Sequence, residues 1–259
     1  VGEGGGRGSR NTQHTHRLLL SRRLVSVFIS FAITARGAEH GVKIALHTQG
    51  DAVLGMGHIY RCLAIEQVLA NTFPRAETTF IINDVEPGAS VVRDRFPGLV
   101  KTVAVAESSK PGAWLSGEWD VLILDRLSMP DPLLSACRGH TRCLVVFDDV
   151  EASRWQADIA VNALYHSTVP RPPAARTRDL NGFDYLVLDP RFANVPVRSS
   201  APVRRVLLTQ GGSDTYGLIP ELTRGLGEMI LRHPDAQLEV HTGPAFRFEH
   251  KIERAILET

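Results

Sequence analysis

The chain has 259 residues, 43% of them hydrophobic and 22% charged, with a formal net charge of +1; this composition excludes disordered, collagenous and disulfide-stapled classes. Cys62, Cys137 and Cys143 form no CxxC pair, so they offer neither a disulfide framework nor a zinc site and suit a reducing, cytoplasmic setting. Residues 1–40 hold six arginines against Glu3 and Glu39, which leaves a slight acidic excess elsewhere and no electrostatic footprint for nucleic acid.

Along the chain, residues 1–40 are glycine- and arginine-rich and end in an apolar run, Leu24 to Ile33, too short to span a bilayer. They are expected to be a non-globular or non-native extension, with an imperfect secretory signal as the other reading and no membrane partner. From 41 the pattern becomes α/β. Val42 to Leu46 reads as a short apolar strand, the next residues are punctuated by glycine, and Ile59 to Ala70 carries apolar residues at helical spacing. The unit recurs, with strands expected at Thr79–Ile82, Val100–Val105, Val121–Leu124, Cys143–Phe147, Ile159–Val161 and Tyr185–Leu188, and helices at Ala89–Phe96 and Pro132–Cys137. Short, nearly continuous apolar strands alternating with helices predict a parallel sheet covered on both faces, with ligands outside the carboxyl ends of its strands.

A boundary is expected at Pro196 to Pro202, giving a first domain over 41–200 and the start of a second over 203–259. In the second, Val203–Thr209 and Gln237–His241 read as strands and Leu218–Arg232 and Phe248–Leu257 as helices. Two strands and two helices are too few to bury their own faces, so this domain is expected to be incomplete.

The sharpest local feature is Gly50 to Arg61, between the first strand and its helix. Glycines let backbone amides approach an anion, and a helix N-terminus adds free N–H donors and the positive end of a dipole. The segment lacks the Lys-Ser/Thr of a P-loop, and Tyr60 stands where a dinucleotide fingerprint needs glycine. His58 falls in the first helical turn, where the dipole disfavours an imidazolium and favours a ring able to act as a base. Arg61 lies on the same helical face, either to hold an anionic ligand or to brace the loop.

A second strand runs into Gln210-Gly211-Gly212-Ser213-Asp214, where two readings stand open: a ligand held between the two glycine loops, or a plain turn with Asp214 as helix cap. Asp125 and the pair Asp148 and Asp149 end apolar strands at the sheet's functional edge, where paired acids either bind metal or act as acid and base, or else cap loops. No Asp-x-Asp is present to hold a metal-bound nucleotide sugar, and His140, His166, His233, His241 and His250 have no ligand spacing, so neither metal nor cofactor is expected.

Gly55-x-Gly57-His58-x-x-Arg61-Cys62-Leu63-Ala64, with Leu124-Asp125, Phe147-Asp148-Asp149, Ala157-Asp158-Ile159 plus Asn162, and Gln210 to Asp214, resembles the UDP-sugar hydrolase of pseudaminic acid biosynthesis and the related spore-coat polysaccharide proteins. That family is glycosyltransferase-B-like, and the resemblance runs from about Val42 to about Leu257. It implies two Rossmann-like domains facing a cleft, and His58 activating water to release UDP and free sugar from a UDP-linked diacetamido-trideoxy sugar with inversion. It also implies Gly55, Gly57, Arg61, Asp125, Asp149, Asn162, Gly211, Gly212, Ser213 and Asp214 as substrate contacts. The chain departs from the family at His47-Thr48-Gln49 and at Asp125-Arg126-Leu127, where family members carry Arg-x-Asp and Asp-His/Ser-Tyr; Leu164 replaces a second asparagine, and the charges around Leu188 to Phe192 are altered. The alternatives are a non-catalytic nucleotide-sugar-binding remnant and a glycosyltransferase in which His58 deprotonates an acceptor hydroxyl.

Overall fold

A computed structural model describes residues 41–103, 110, 114–148, 151–164, 169–194 and 203–258. The expected N-terminal extension, Asp149, His166 and the boundary at Pro196 to Pro202 lie outside the described residues.

Seven parallel strands form one sheet: β1 (Lys43–Thr48), β2 (Glu77–Asn83), β3 (Val100–Val103), β4 (Trp119–Asp125), β5 (Thr141–Phe147), β6 (Ile159–Asn162) and β7 (Arg178–Asn181), in the order β3-β2-β1-β4-β5-β6-β7. Between them run the helices α1 (Gly57–Thr72), α2 (Gly88–Arg95) and α3 (Asp131–Arg138). The strand order reverses between β1 and β4, and at such a switch point the connections leave in opposite directions and open a crevice above the strand ends.

The strands alternate their side chains between two cores. Ile44, Leu46, Ile123, Val145 and Phe147 point to one face and pack under Ile59, Cys62 and Leu69 of α1. Ala45, Leu122, Leu124, Leu144 and Val146 point to the other, against Trp114 and the Leu133, Leu134 and Cys137 of α3. Burial on both faces is why β4 and β5 read as unbroken apolar runs rather than alternating ones.

Two expectations change at the sheet's edges. Tyr185–Leu188 is no strand; Tyr185 ends a 3-10 turn at Phe183–Tyr185, Leu186 to Leu188 follow it, and Tyr185 and Val187 pack onto the core from outside. The last strand is instead the polar Arg178–Asn181, in which Leu180 alone is buried, because an edge strand needs one inward side chain and its apolar signal is correspondingly faint. At the other edge, β3 is described to Val103, short of the expected Val105.

The C-terminal segment forms β8 (Arg205–Thr209), α4 (Ile219–Ile230), β9 (Gln237–His241) and α5 (Glu249–Leu257). The two strands pair in parallel, and Leu208, Ile219 and Phe246 form a small core of their own. Among the described residues no helix is long and apolar enough to cross a membrane.

Candidate functional site

The site grows from the β1–α1 junction. Gly50 must be glycine because a Cβ there would fall 2.5 Å from Cδ1 of Ile59, so the loop lies flat on the first turn of its own helix. Asp51 closes the loop by accepting the amides of Val53 and Leu54 at 2.7 and 2.8 Å, and Gly55 turns the chain with φ +84°. The helix that follows has no side-chain cap and no acid in its first turn, and a Cβ on Gly57 would meet nothing within 4 Å. The helix N-terminus is therefore left without a side-chain cap, and Gly57 lies beside open space.

His58 and Arg61, one turn of α1 apart, both reach Asp125, the last residue of β4 across the switch point. Asp125 is fully buried; its Oδ1 lies 2.7 Å from Nδ1 of His58 and accepts from Nη2 of Arg61 at 2.5 Å, while its Oδ2 accepts from Nε of Arg61 at 2.6 Å. Arg61 donates through Nη1 to Asp148, and its guanidinium stacks over the Phe147 ring with a centroid distance of 5.3 Å. Burial alone would push the Asp125 carboxyl up, but the charge and hydrogen bonds of Arg61, joined by His58, outweigh it and hold the group below the usual carboxylate range. Burial opposes the Arg61 charge, and the two aspartates more than restore it.

An ionised carboxylate can only accept, so Nδ1 of His58 carries the proton of that bond, and in the neutral ring the lone pair then lies on Nε2. Nε2 makes no hydrogen bond to the described residues. A buried acid, a ring oriented by it and a free ring nitrogen are the parts of a general base.

A cavity of about 740 Å³ opens over these groups, lined by the polar or charged His58, Arg61, Arg126 and Asp148 with Gly57, and by the apolar Leu127, Leu164, Leu188 and Phe192. The four apolar residues are each more than half exposed and give the cavity an apolar wall in addition to its polar groups. A second space of about 460 Å³ continues past Tyr60 towards α2.

Of the residues singled out from sequence, His58, Gly57 and Arg61 line the cavity together. Arg61 braces the site, since both faces of its guanidinium fork are taken by carboxylates. Asp125, which the resemblance implies as a substrate contact, has no exposed surface here and holds His58 and Arg61 from behind. Asn162 is also buried, and neither end of its amide finds a partner among the described residues. Gly55, Gly211, Gly212, Ser213 and Asp214 are not among the cavity's lining residues. Asp214 instead accepts the amides of Leu218 and Ile219 at 2.8 and 2.9 Å, the helix cap that was its other reading. Ser213 bonds the hydroxyl of Thr215 at 2.9 Å.

Sequence reasoning passed over Arg126 as a lost contact and did not foresee the wall at Leu186 to Phe192. The signal for Arg126 was its place directly after a buried strand, at the edge where ligands bind. The wall carried none, because its residues resembled a strand. Among the described residues no cluster of three or more His, Cys, Asp or Glu could hold a metal ion.

No family model matches the chain. It is similar to an uncharacterised protein of Methanocaldococcus jannaschii, 26% identical over 222 residues that make up 82% of this chain and 44% of that protein. The chain thus spans under half the length of that curated relative.

Proposed function

We propose that the protein hydrolyses a UDP-linked diacetamido-trideoxy sugar, with His58 as the base that activates water. Water attacks the anomeric carbon, the bond from that carbon to the diphosphate oxygen breaks, the electron pair leaves with UDP, and the proton of the water passes to Nε2 of His58. Attack opposite the leaving group gives inversion. The observation that carries this reading is the His58–Asp125 pair at 2.7 Å beneath a cavity at the switch point.

Four further features support it. The uncapped α1 N-terminus beside Gly57 offers amides and dipole to the departing diphosphate, and Arg126 adds positive charge to the same cavity. The wall of Leu127, Leu164, Leu188 and Phe192 suits the methyl groups of a deoxy, acetamido-substituted sugar better than a fully hydroxylated one. The motif order that resembles the pseudaminic acid hydrolases runs through both glycine loops. A glycosyltransferase-B-like arrangement of two domains belongs to this proposal as well.

An NMR time course on that substrate tests it. Free sugar of inverted anomeric configuration and UDP should appear with the wild-type chain, and His58→Asn should turn over about 10²- to 10⁴-fold more slowly with nucleotide binding retained. Equal rates would remove His58 from the reaction. UDP release only on addition of a sugar acceptor would make the protein a transferase, and binding without release a non-catalytic nucleotide-sugar binder.

A further inference from the structure

The loop at Gln210 to Asp214 leaves an unanswered question, because it is glycine-rich at the end of a strand yet faces no part of the His58 cavity. Its two glycines have different causes. Gly211 takes φ +69°, a left-handed conformation that glycine adopts without strain, with open space around it. Gly212 has no positive φ to explain it; a Cβ there would fall 2.3 Å from Cβ and 2.5 Å from Cγ of Met56. Behind it, a Cβ on Gly243 would fall 2.4 Å from Cα of Gly212, and the amide of Ala245 donates to the Gly212 carbonyl at 2.9 Å. Gly243 and Gly212 are thus stacked backbone on backbone, and Gly212 in turn lies against the root of the Met56 side chain, which is buried. Alongside, a Cβ on Gly55 would lie 3.7 Å from the hydroxyls of Ser213 and Thr215, which bond each other.

Met56 is the residue on which α1 begins: its carbonyl accepts the amide of Tyr60 at 3.1 Å, and Gly57 and His58 follow it directly. Gly57 gives that turn no side-chain anchor of its own. We infer that the 209–215 loop is the seat of the loop that carries His58, with Met56 as the contact and Gly212 as a positioning residue for the imidazole. A close-packed contact transmits displacement, since the Met56 Cβ is fixed to its own backbone and cannot yield without moving it. Pushing Met56 aside moves the start of α1 and with it the ring that must meet Asp125 at hydrogen-bond distance. The inference rests on the proposed hydrolysis for its kinetic consequence only; the geometric consequence stands apart from it.

The test pairs a bump with a hole. Gly212→Ala adds the methyl that collides with Met56, Gly212→Ala with Met56→Gly removes the colliding atoms, and Gly225→Ala, where a Cβ meets nothing within 4 Å, controls for substitution in the same segment. Circular dichroism establishes that each chain is folded. The first readout is the low-field proton resonance of the His58 Nδ1–H held by Asp125, assigned by its loss in His58→Asn. It should shift or broaden in Gly212→Ala, return in the double variant and stay unchanged in Gly225→Ala. The second is turnover: kcat should fall about a hundredfold in Gly212→Ala with KM within about threefold, and recover in the double variant. A folded Gly212→Ala chain with an unchanged His58 resonance, or a double variant that does not recover it, overturns the inference. If the wild type releases no UDP, the hydrolase reading fails while the resonance still decides the seat.

Discussion

Two junctions of like construction, β1 to α1 and β8 to α4, each run an apolar strand through glycines into a helix, and they differ in what occupies the helix N-terminus. At α1 there is no cap, no acid and no Cβ on Gly57, and Gly57 and His58 of that uncapped turn line a cavity. At α4 the carboxylate of Asp214 already holds the amides of Leu218 and Ile219, and Glu221 adds a second negative charge in the first turn. A phosphate is attracted to the first and repelled by the second. A glycine turn after a strand therefore says where a ligand could approach, and the cap says whether the place is taken.

The comparison breaks most visibly at the chemistry. His58→Asn is expected to cost about 10²- to 10⁴-fold in kcat. Asp125→Asn should cost about as much, because a neutral amide no longer fixes the ring's tautomer and Arg61 loses one of its two counter-charges. Steady-state kinetics of both variants would check this, and an Asp125→Asn enzyme as fast as wild type would show that the pair is packing alone.

The next effect concerns His47, buried in β1 and stacked on Trp114 with ring centroids 4.3 Å apart. Burial, with the Arg126 charge adding to it, pulls its pKa down to about 3. The unfolded chain takes up that proton below about pH 6.5 and the folded chain does not, so stability is full above pH 6.5 and falls by about 1.4 kcal/mol per pH unit towards pH 3. Urea unfolding of His47→Leu at pH 7 and pH 4.5 should show a difference about 2 to 3 kcal/mol smaller than wild type shows, and an equal difference would place the acid sensitivity elsewhere.

Smaller effects sharpen the contrast between the junctions. Asp214→Ala should lower stability by about 1 kcal/mol in thermal or urea unfolding while leaving nucleotide-sugar affinity intact, as loss of a cap would. Gly57→Ala should do the reverse, holding stability because its Cβ meets nothing, and weakening binding by about tenfold in calorimetry because the methyl stands where the ligand approaches. Exchange of these two outcomes would mean that the ligand sits at the α4 end.

Much of the seven-stranded sheet was legible because burial on both faces leaves continuous apolar runs such as Val121 to Leu124 and Cys143 to Phe147. The edge strand Arg178–Asn181 was not, since a single buried leucine makes no pattern, and the Tyr185 to Leu188 segment imitated a strand because its side chains cover core and cavity from outside. His58 and Arg61 could be placed on one helical face from their spacing. Their meeting with Asp125 could not, because 64 residues separate Arg61 from it and only the strand order brings β4 beside β1. Gly212 looked like half of a phosphate loop, and its closeness to Met56 depends on packing between segments far apart in sequence.

The central claim, attack of His58-activated water on the anomeric carbon, is tested most directly by single-turnover hydrolysis in ¹⁸O-labelled water with mass analysis of both products. The account predicts one ¹⁸O in the released sugar and none in UDP. Label in the UDP phosphate would mean attack at phosphorus, and would contradict it.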